Sequence, residues 1–139
     1  MAKAVAAALR DAGFTSVTIV ARNETTGRAL ADLYGFNWQD DVNGSTADLI
    51  INVTPLGMAG ADETAQSFDD ATIAAAKIVF DVVALPSETP LITAARQAGK
   101  PVITGAEVIA IQAEEQFVLY TGVRPSADQV REASEFSRR

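Results

Sequence analysis

Two hydrophobic periodicities alternate along this chain. VTIVAR (17–22), ADLIINVT (47–54), KIVFDVVA (77–84) and PVITG (101–105) carry aliphatic, largely β-branched residues at adjacent positions. Runs of that length predict strands covered on both faces. ETTGRALADLY (24–34), DATIAAA (70–76), TPLITAARQAG (89–99) and AEVIAIQAEEQFVLYTG (106–122) read as helices between them. Turn and cap residues stand where the pattern changes. Asn23 is placed to cap helix 24–34 and Gly35 to stop it. Pro55 closes the second strand, and Gly99 ends the helix that precedes the fourth. Ser126 and Gln129, in the closing SADQVREASEFSRR, have capping-box spacing. The opening MAKAVAAALRDAGF provides ten residues for a helix before Gly13, yet only Met1 precedes them, with no side-chain acceptor for the first N–H groups. Strands separated by helices predict an α/β fold with a doubly wound parallel sheet.

Composition narrows the chemistry. The 139 residues are one domain's worth, and 48% are hydrophobic, enough for a real core. Eleven basic residues against 18 acidic give a net charge of −7, which argues against bulk nucleic-acid binding. No apolar run is long enough to span a bilayer, and the Ala-rich start has no signal-peptide pattern, so cytoplasm is the default location. The chain has neither Cys nor His. Thiolate zinc sites, the common metal sites and Ser–His or Cys–His nucleophile pairs are therefore excluded.

Parallel α/β sheets bind ligands beyond the carboxyl ends of their strands, so the residues that follow each strand are informative. ARN follows the first. In a doubly wound dinucleotide fold an acid at that place binds the ribose 2′-OH of NAD, and an arginine favours the 2′-phosphate of NADP. This chain has Arg22, then Asn23, Thr25, Thr26 and Arg28. The same residues can serve as a solvated charge and a helix cap. In INVTPLGM, Asn52 and Thr54 end an apolar strand, and Pro55 and Gly57 force an irregular turn. That turn fits either a backbone loop close to a ligand or an ordinary strand end. In DVVALPSETP, Asp81 sits inside an apolar run and needs partners if buried. Binding backbone amides or orienting the loop is favoured over a catalytic acid, and Ser87 or Thr89 can cap the next helix. In TGAEVIAIQAEEQFVLYTG, Gly105 permits close approach of backbone, and Gln112 is the polar residue of an apolar stretch. Glu114 and Glu115 read as solvated, and Phe117 and Tyr120, three apart, as core.

ARN, NVTPLGM, DVVALPSETPL and TGAEVIAIQAEEQFVLYTG, in this order, resemble the C-terminal, cofactor-binding domain of shikimate dehydrogenases, and more narrowly the shikimate dehydrogenase-like branch of that family. The resemblance implies a Rossmann-like domain over residues 1–139. It also implies that a strand, a Gly-x-Gly-Gly turn and a substrate domain with a catalytic lysine and aspartate belong ahead of Met1. Hydride would pass between NADP and a shikimate- or quinate-like hydroxylated cyclohexene carboxylate. Arg22 and Asn23 match the residues that hold the 2′-phosphate. Thr26 stands where many relatives have a second basic residue. Asn52 and Thr54 match the loop that lines the cofactor, Val82 and Gly105 positions near the nicotinamide, and Gln112 the glutamine on the substrate hydroxyls. Ala84, Thr104 and Val108 replace the family's common tyrosine, aspartate and methionine. The alternative is a non-catalytic binding or assembly module of the same fold.

In the doubly wound order the first strand lies at the centre. VTIVAR and ADLIINVT would then flank a gap. They can pair with each other, associate with a second chain as a homodimer, or receive an upstream segment; the last two are favoured.

Overall fold

The computed structural model describes residues 1–42 and 46–136. Helix α1 (Ala2–Asp11) starts as the sequence implies, without a side-chain cap. The Met1 carbonyl accepts from Ala4 N at 2.9 Å and Val5 N at 3.2 Å. Strand β1 (Thr18–Val20) leads into α2 (Glu24–Tyr34), which Asn23 caps and Gly35, in the left-handed conformation, terminates. Then come β2 (Asn37–Gln39), β3 (Leu49–Asn52), the short α3 (Asp70–Ala75), β4 (Ile78–Asp81), α4 (Pro90–Gln97), β5 (Val102–Ile103), α5 (Gly105–Thr121) and α6 (Ala127–Phe136). The Ser126–Gln129 capping box is formed ahead of α6.

All strand pairs are parallel, in two sheets. One pairs β1 with β2, with Ile19 opposite Trp38. The other has the order β3-β4-β5, with Ile50 opposite Val79 and Val79 opposite Val102. The main core lies on this second sheet, where Ile50 and Val79 pack with Ile73 and Ala76 from the α3 side and with Leu91 and Ala95 of α4. β1 and β3 are not paired, so the two strands have not closed on each other.

Several sequence readings need correction. NWQ forms β2, which the hydrophobic pattern does not announce because one Trp stands between two amides. β1 is not buried on both faces: Thr18 and Val20, which share one face, are exposed. Phe117 and Tyr120 are exposed, not core. The apolar residues of α5 run round the helix without forming one stripe, so a three-residue spacing selects no inward face. Glu114 and Glu115 are not merely solvated. Arg124 bridges both, at 2.6 and 2.9 Å, and holds the Glu115 carboxyl below its ordinary value. Among the described residues no helix is long and apolar enough to cross a membrane.

Candidate functional site

The carboxyl ends of β3 and β4 are joined by a buried polar network. Asn52 and Asp81 end their strands directly opposite each other. Asn52 Nδ2 donates to Asp81 Oδ1 at 3.0 Å and to the Leu56 carbonyl at 3.1 Å. Asn52 Oδ1 accepts from Thr54 N at 3.0 Å and Thr54 Oγ1 at 2.7 Å. The first turn of NVTPLGM is thus wound around one amide side chain. Asp81 Oδ1 also accepts from Val83 N at 3.0 Å, and Oδ2 from Thr89 Oγ1 at 2.7 Å. Thr89 Oγ1 in turn caps α4 by accepting from Ile92 N at 3.2 Å. Every Asp81 bond here goes to a group that positions backbone, which fits the loop-orienting reading of this residue.

Two further contacts fix the loops on one another. Ala59 N donates to the Leu85 carbonyl at 3.0 Å. Gly57 has φ +87°, and a Cβ there would meet Thr89 Cβ at 3.1 Å, so both its conformation and its closeness to the α4 cap favour glycine. Gly105 answers a tighter demand. A Cβ would stand 2.4 Å from the Val83 carbonyl oxygen and 2.5 Å from that of Val82. The start of α5 therefore lies directly on the turn that leaves β4. Thr104 caps α5 in a complete capping box with Glu107. The Thr104 N–H and then its hydroxyl donate to the Glu107 carboxylate, which holds that carboxyl below its ordinary value.

The end of β1 is built differently. Ala21 N donates to the Gln39 carbonyl at 3.1 Å, and Trp38 Nε1 donates back to the Ala21 carbonyl at 3.1 Å. Gly27 of α2 makes room for the indole, since a Cβ there would lie 2.3 Å from Trp38 Nε1. Arg28 pairs with Glu24 at 2.8 Å and stacks over the Trp38 ring at 4.2 Å. Asn23 Oδ1 accepts from Thr26 N at 3.0 Å. Arg22 is exposed and, among the described residues, forms no ion pair.

The sequence-predicted residues fall into two groups. Asn52, Thr54, Val82 and Gly105 gather at the ends of β3 and β4 and the start of α5. Arg22, Asn23 and Thr26 gather between β1 and α2, on the other sheet. Gln112 is exposed on α5, seven residues beyond Gly105, about 10 Å along the helix. A surface hollow of about 520 Å³ lies elsewhere, between Gln66, Asp70, Pro90 and Gln97, and includes none of these residues. Sequence reasoning missed Trp38, Gly27 and the Thr104–Glu107 pair. The last has a signal in TGAE, a Thr-x-x-Glu capping box.

No family model matches the chain. It is 48% identical over 139 residues to the shikimate dehydrogenase-like protein of Haemophilus influenzae, covering 99% of this chain and 51% of that protein. A solved structure of a shikimate 5-dehydrogenase-like protein superposes with TM-score 0.98 at 47% identity, over 100% of this chain and 52% of the other. Shikimate 5-dehydrogenase of Thermus thermophilus, in complex with NADP(H) and shikimate, matches with TM-score 0.80 at 29% identity, over 95% of this chain and 49% of that one. The chain spans about half the length of the relatives it matches. Over essentially its whole length it is a Rossmann-like α/β unit similar to half of a shikimate dehydrogenase-like protein.

Proposed function

We propose that this chain is the NADP-binding domain of a shikimate or quinate dehydrogenase-like oxidoreductase. One observation carries the reading. Arg22 stands exposed at the carboxyl end of β1, without an ion pair among the described residues, immediately before the capped start of α2. That is the place where an arginine meets a ribose 2′-phosphate in a doubly wound fold. The first-turn N–H groups of α2 add partial positive charge there. Glu24 would repel a phosphate, but Arg28 lies against its carboxylate. Arg22, Asn23 and Thr26 hold the phosphate in this reading. Thr54 and the loop wound on Asn52 line the cofactor, and Val82 and Gly105 lie near the nicotinamide. Gln112 binds hydroxyls of a small cyclohexene carboxylate. The cofactor supplies the hydride, and these residues supply binding and orientation.

Proton transfer is assigned to residues outside this unit. The chain has no His or Cys, and Asp81 is buried with its carboxylate committed to Asn52, Val83 and Thr89. Calorimetric titration with NADP and NAD tests the proposal. Tighter binding of NADP is expected, with no oxidation of shikimate or quinate by this chain alone. Equal affinity for the two nucleotides would overturn the cofactor assignment, and turnover above a protein-free blank would overturn the division of labour.

A further inference from the structure

One indole spans both ends of the turn that carries Arg22. Trp38 of β2 is half-buried, and its Nε1 donates to the Ala21 carbonyl at 3.1 Å. Among the described residues no other donor reaches that carbonyl. Ala21 still pairs with β2 through its N–H, which donates to the Gln39 carbonyl at 3.1 Å. In a parallel ladder the next bond of this series would bring a backbone N–H to the Ala21 carbonyl. Here a side chain supplies the donor instead, and the chain leaves the sheet at Arg22. On the far side of the turn the same ring edge meets α2. A Cβ at Gly27 would lie 2.3 Å from Trp38 Nε1, 2.6 Å from Cδ1 and 2.9 Å from Ala21 Cβ. The pyrrole edge of the indole is thus wedged between the end of β1 and the first turn of α2. Gly27 N donates to the Asn23 carbonyl at 2.9 Å, and Thr26 N to Asn23 Oδ1 at 3.0 Å. Arg22 is exposed and has no ion pair among the described residues, so its placement is set by the backbone on either side.

We propose that Trp38 is a positioning residue for NADP selectivity: by holding the Ala21 carbonyl and lying against Gly27, its indole sets the direction in which Arg22 leaves the sheet. The proposal rests on the reading of Arg22 as the ligand of the 2′-phosphate. Trp38 itself touches no nucleotide in this scheme and acts through the Ala21–Arg22 peptide. A guanidinium binds phosphate best with two parallel N–H bonds, so it tolerates little displacement. A loose peptide at Arg22 would have to be ordered when NADP binds, and that cost lowers affinity. NAD has no 2′-phosphate and does not require Arg22 to be ordered. Loss of the indole donor therefore acts on the ratio of the two affinities and not on both alike.

Trp38 is the single tryptophan of the chain, so biosynthetic replacement of tryptophan by 3-benzothienylalanine changes this position alone. That isostere has sulfur where the indole has N–H. Trp38→Phe is the second variant, with an aromatic ring and no donor. Calorimetric titration of either form should show NADP affinity lowered about threefold to tenfold and NAD affinity changed by less than about twofold. In the nucleotide-free chain, the amides of Ala21, Thr26 and Gly27 should exchange at least about threefold faster. The amides of Thr54 and Val83, on the other sheet, should keep their native rates. Equal losses of NADP and NAD affinity would make the role of Trp38 purely structural and overturn the proposal, as would unchanged exchange at Ala21, Thr26 and Gly27 in both forms. Failure of the underlying reading is distinct from these: equal affinities for NADP and NAD in the native chain would overturn the assignment of Arg22, and the selectivity role of Trp38 with it, whatever the exchange rates.

Discussion

Asn52 Nδ2 donates to Asp81 Oδ1 at 3.0 Å between two strand ends that are 2% and 0% exposed. The pair ties the loop after β3 to the loop after β4, and Thr89 extends the tie to the cap of α4. Asp81→Ala removes the acceptor for three donors, on Asn52, Val83 and Thr89. Each buried donor left unpaired costs about 1–3 kcal/mol, so a loss of about 3 kcal/mol or more is expected in urea unfolding. Asp48→Ala is the control. Its carboxylate is 75% exposed and paired with Lys77 at 2.9 Å, and its removal should change stability by less than about 1 kcal/mol.

Gly27→Ala sets two effects against each other. Alanine is favoured over glycine inside a helix by about 1 kcal/mol. Against that, the new Cβ would lie 2.3 Å from Trp38 Nε1, whose ring is pinned by its bond to Ala21 and by Arg28 above it. Overpacking of this kind costs about 1–3 kcal/mol, so the clash should prevail. Trp38 is the chain's single tryptophan, which makes the outcome visible. Its emission should shift to longer wavelength as the indole is displaced toward water. Gly35→Ala should leave the emission unchanged, since its strain is confined to a positive φ of 72° with open space around it.

Helix α2, with both a cap and a stop, was legible to the residue: it runs from Glu24 to Tyr34 between Asn23 and Gly35. Strands were legible as hydrophobic runs but came out shorter, because pairing ends where the partner strand ends. β2 was not legible, since three residues held by a ladder and one indole contact carry no periodicity. At the site, the residues that follow each strand could be found from the rule that ligands bind at strand ends. The contacts that hold them in place could not. Nothing in the spacing of Asn52, Asp81 and Thr89 says that they meet, because their meeting depends on the register of β3 against β4. The exposed apolar residues of α5 misled for a related reason: hydrophobicity identifies surface that is costly to wet but does not say what covers it.

The start of α5 should respond to acid. The Glu107 carboxyl lies below its ordinary value of 4.5 because the Thr104 N–H and hydroxyl donate to the carboxylate. A depressed folded value means stabilisation that is present above 4.5 and lost as pH falls through the lower folded value. Glu107→Gln keeps an acceptor in the capping box but cannot titrate. The stability advantage of the native chain over this variant should therefore shrink toward zero below pH 4.5, and α5 amides nearest Gly105 should lose protection first. A difference that stays constant across that range would show that the Glu107 charge contributes nothing to the cap.

Arg22 and Arg28 should behave differently, although both lie near the proposed phosphate position. Arg28 is already engaged by Glu24 at 2.8 Å and by the Trp38 ring, whereas Arg22 is exposed without an ion pair among the described residues. A hydrogen bond to a charged group contributes about 1.5–3 kcal/mol, so Arg22→Ala should weaken NADP roughly tenfold to a hundredfold. NAD lacks the 2′-phosphate, and its affinity should change little. Arg28→Ala should remove a stacking contact of about 0.5–1 kcal/mol from stability and leave the ratio of NADP to NAD affinity near its native value. Asn23→Ala should weaken NADP more than NAD, since the proposal places Asn23 on the 2′-phosphate, and should cost about 1 kcal/mol of stability because its Oδ1 caps α2. Paired titrations of the three variants separate the roles. If Arg22→Ala lowered NAD and NADP affinity equally while Arg28→Ala changed their ratio, the phosphate contact would belong to Arg28, and its pairing with Glu24 would have to open when the cofactor binds.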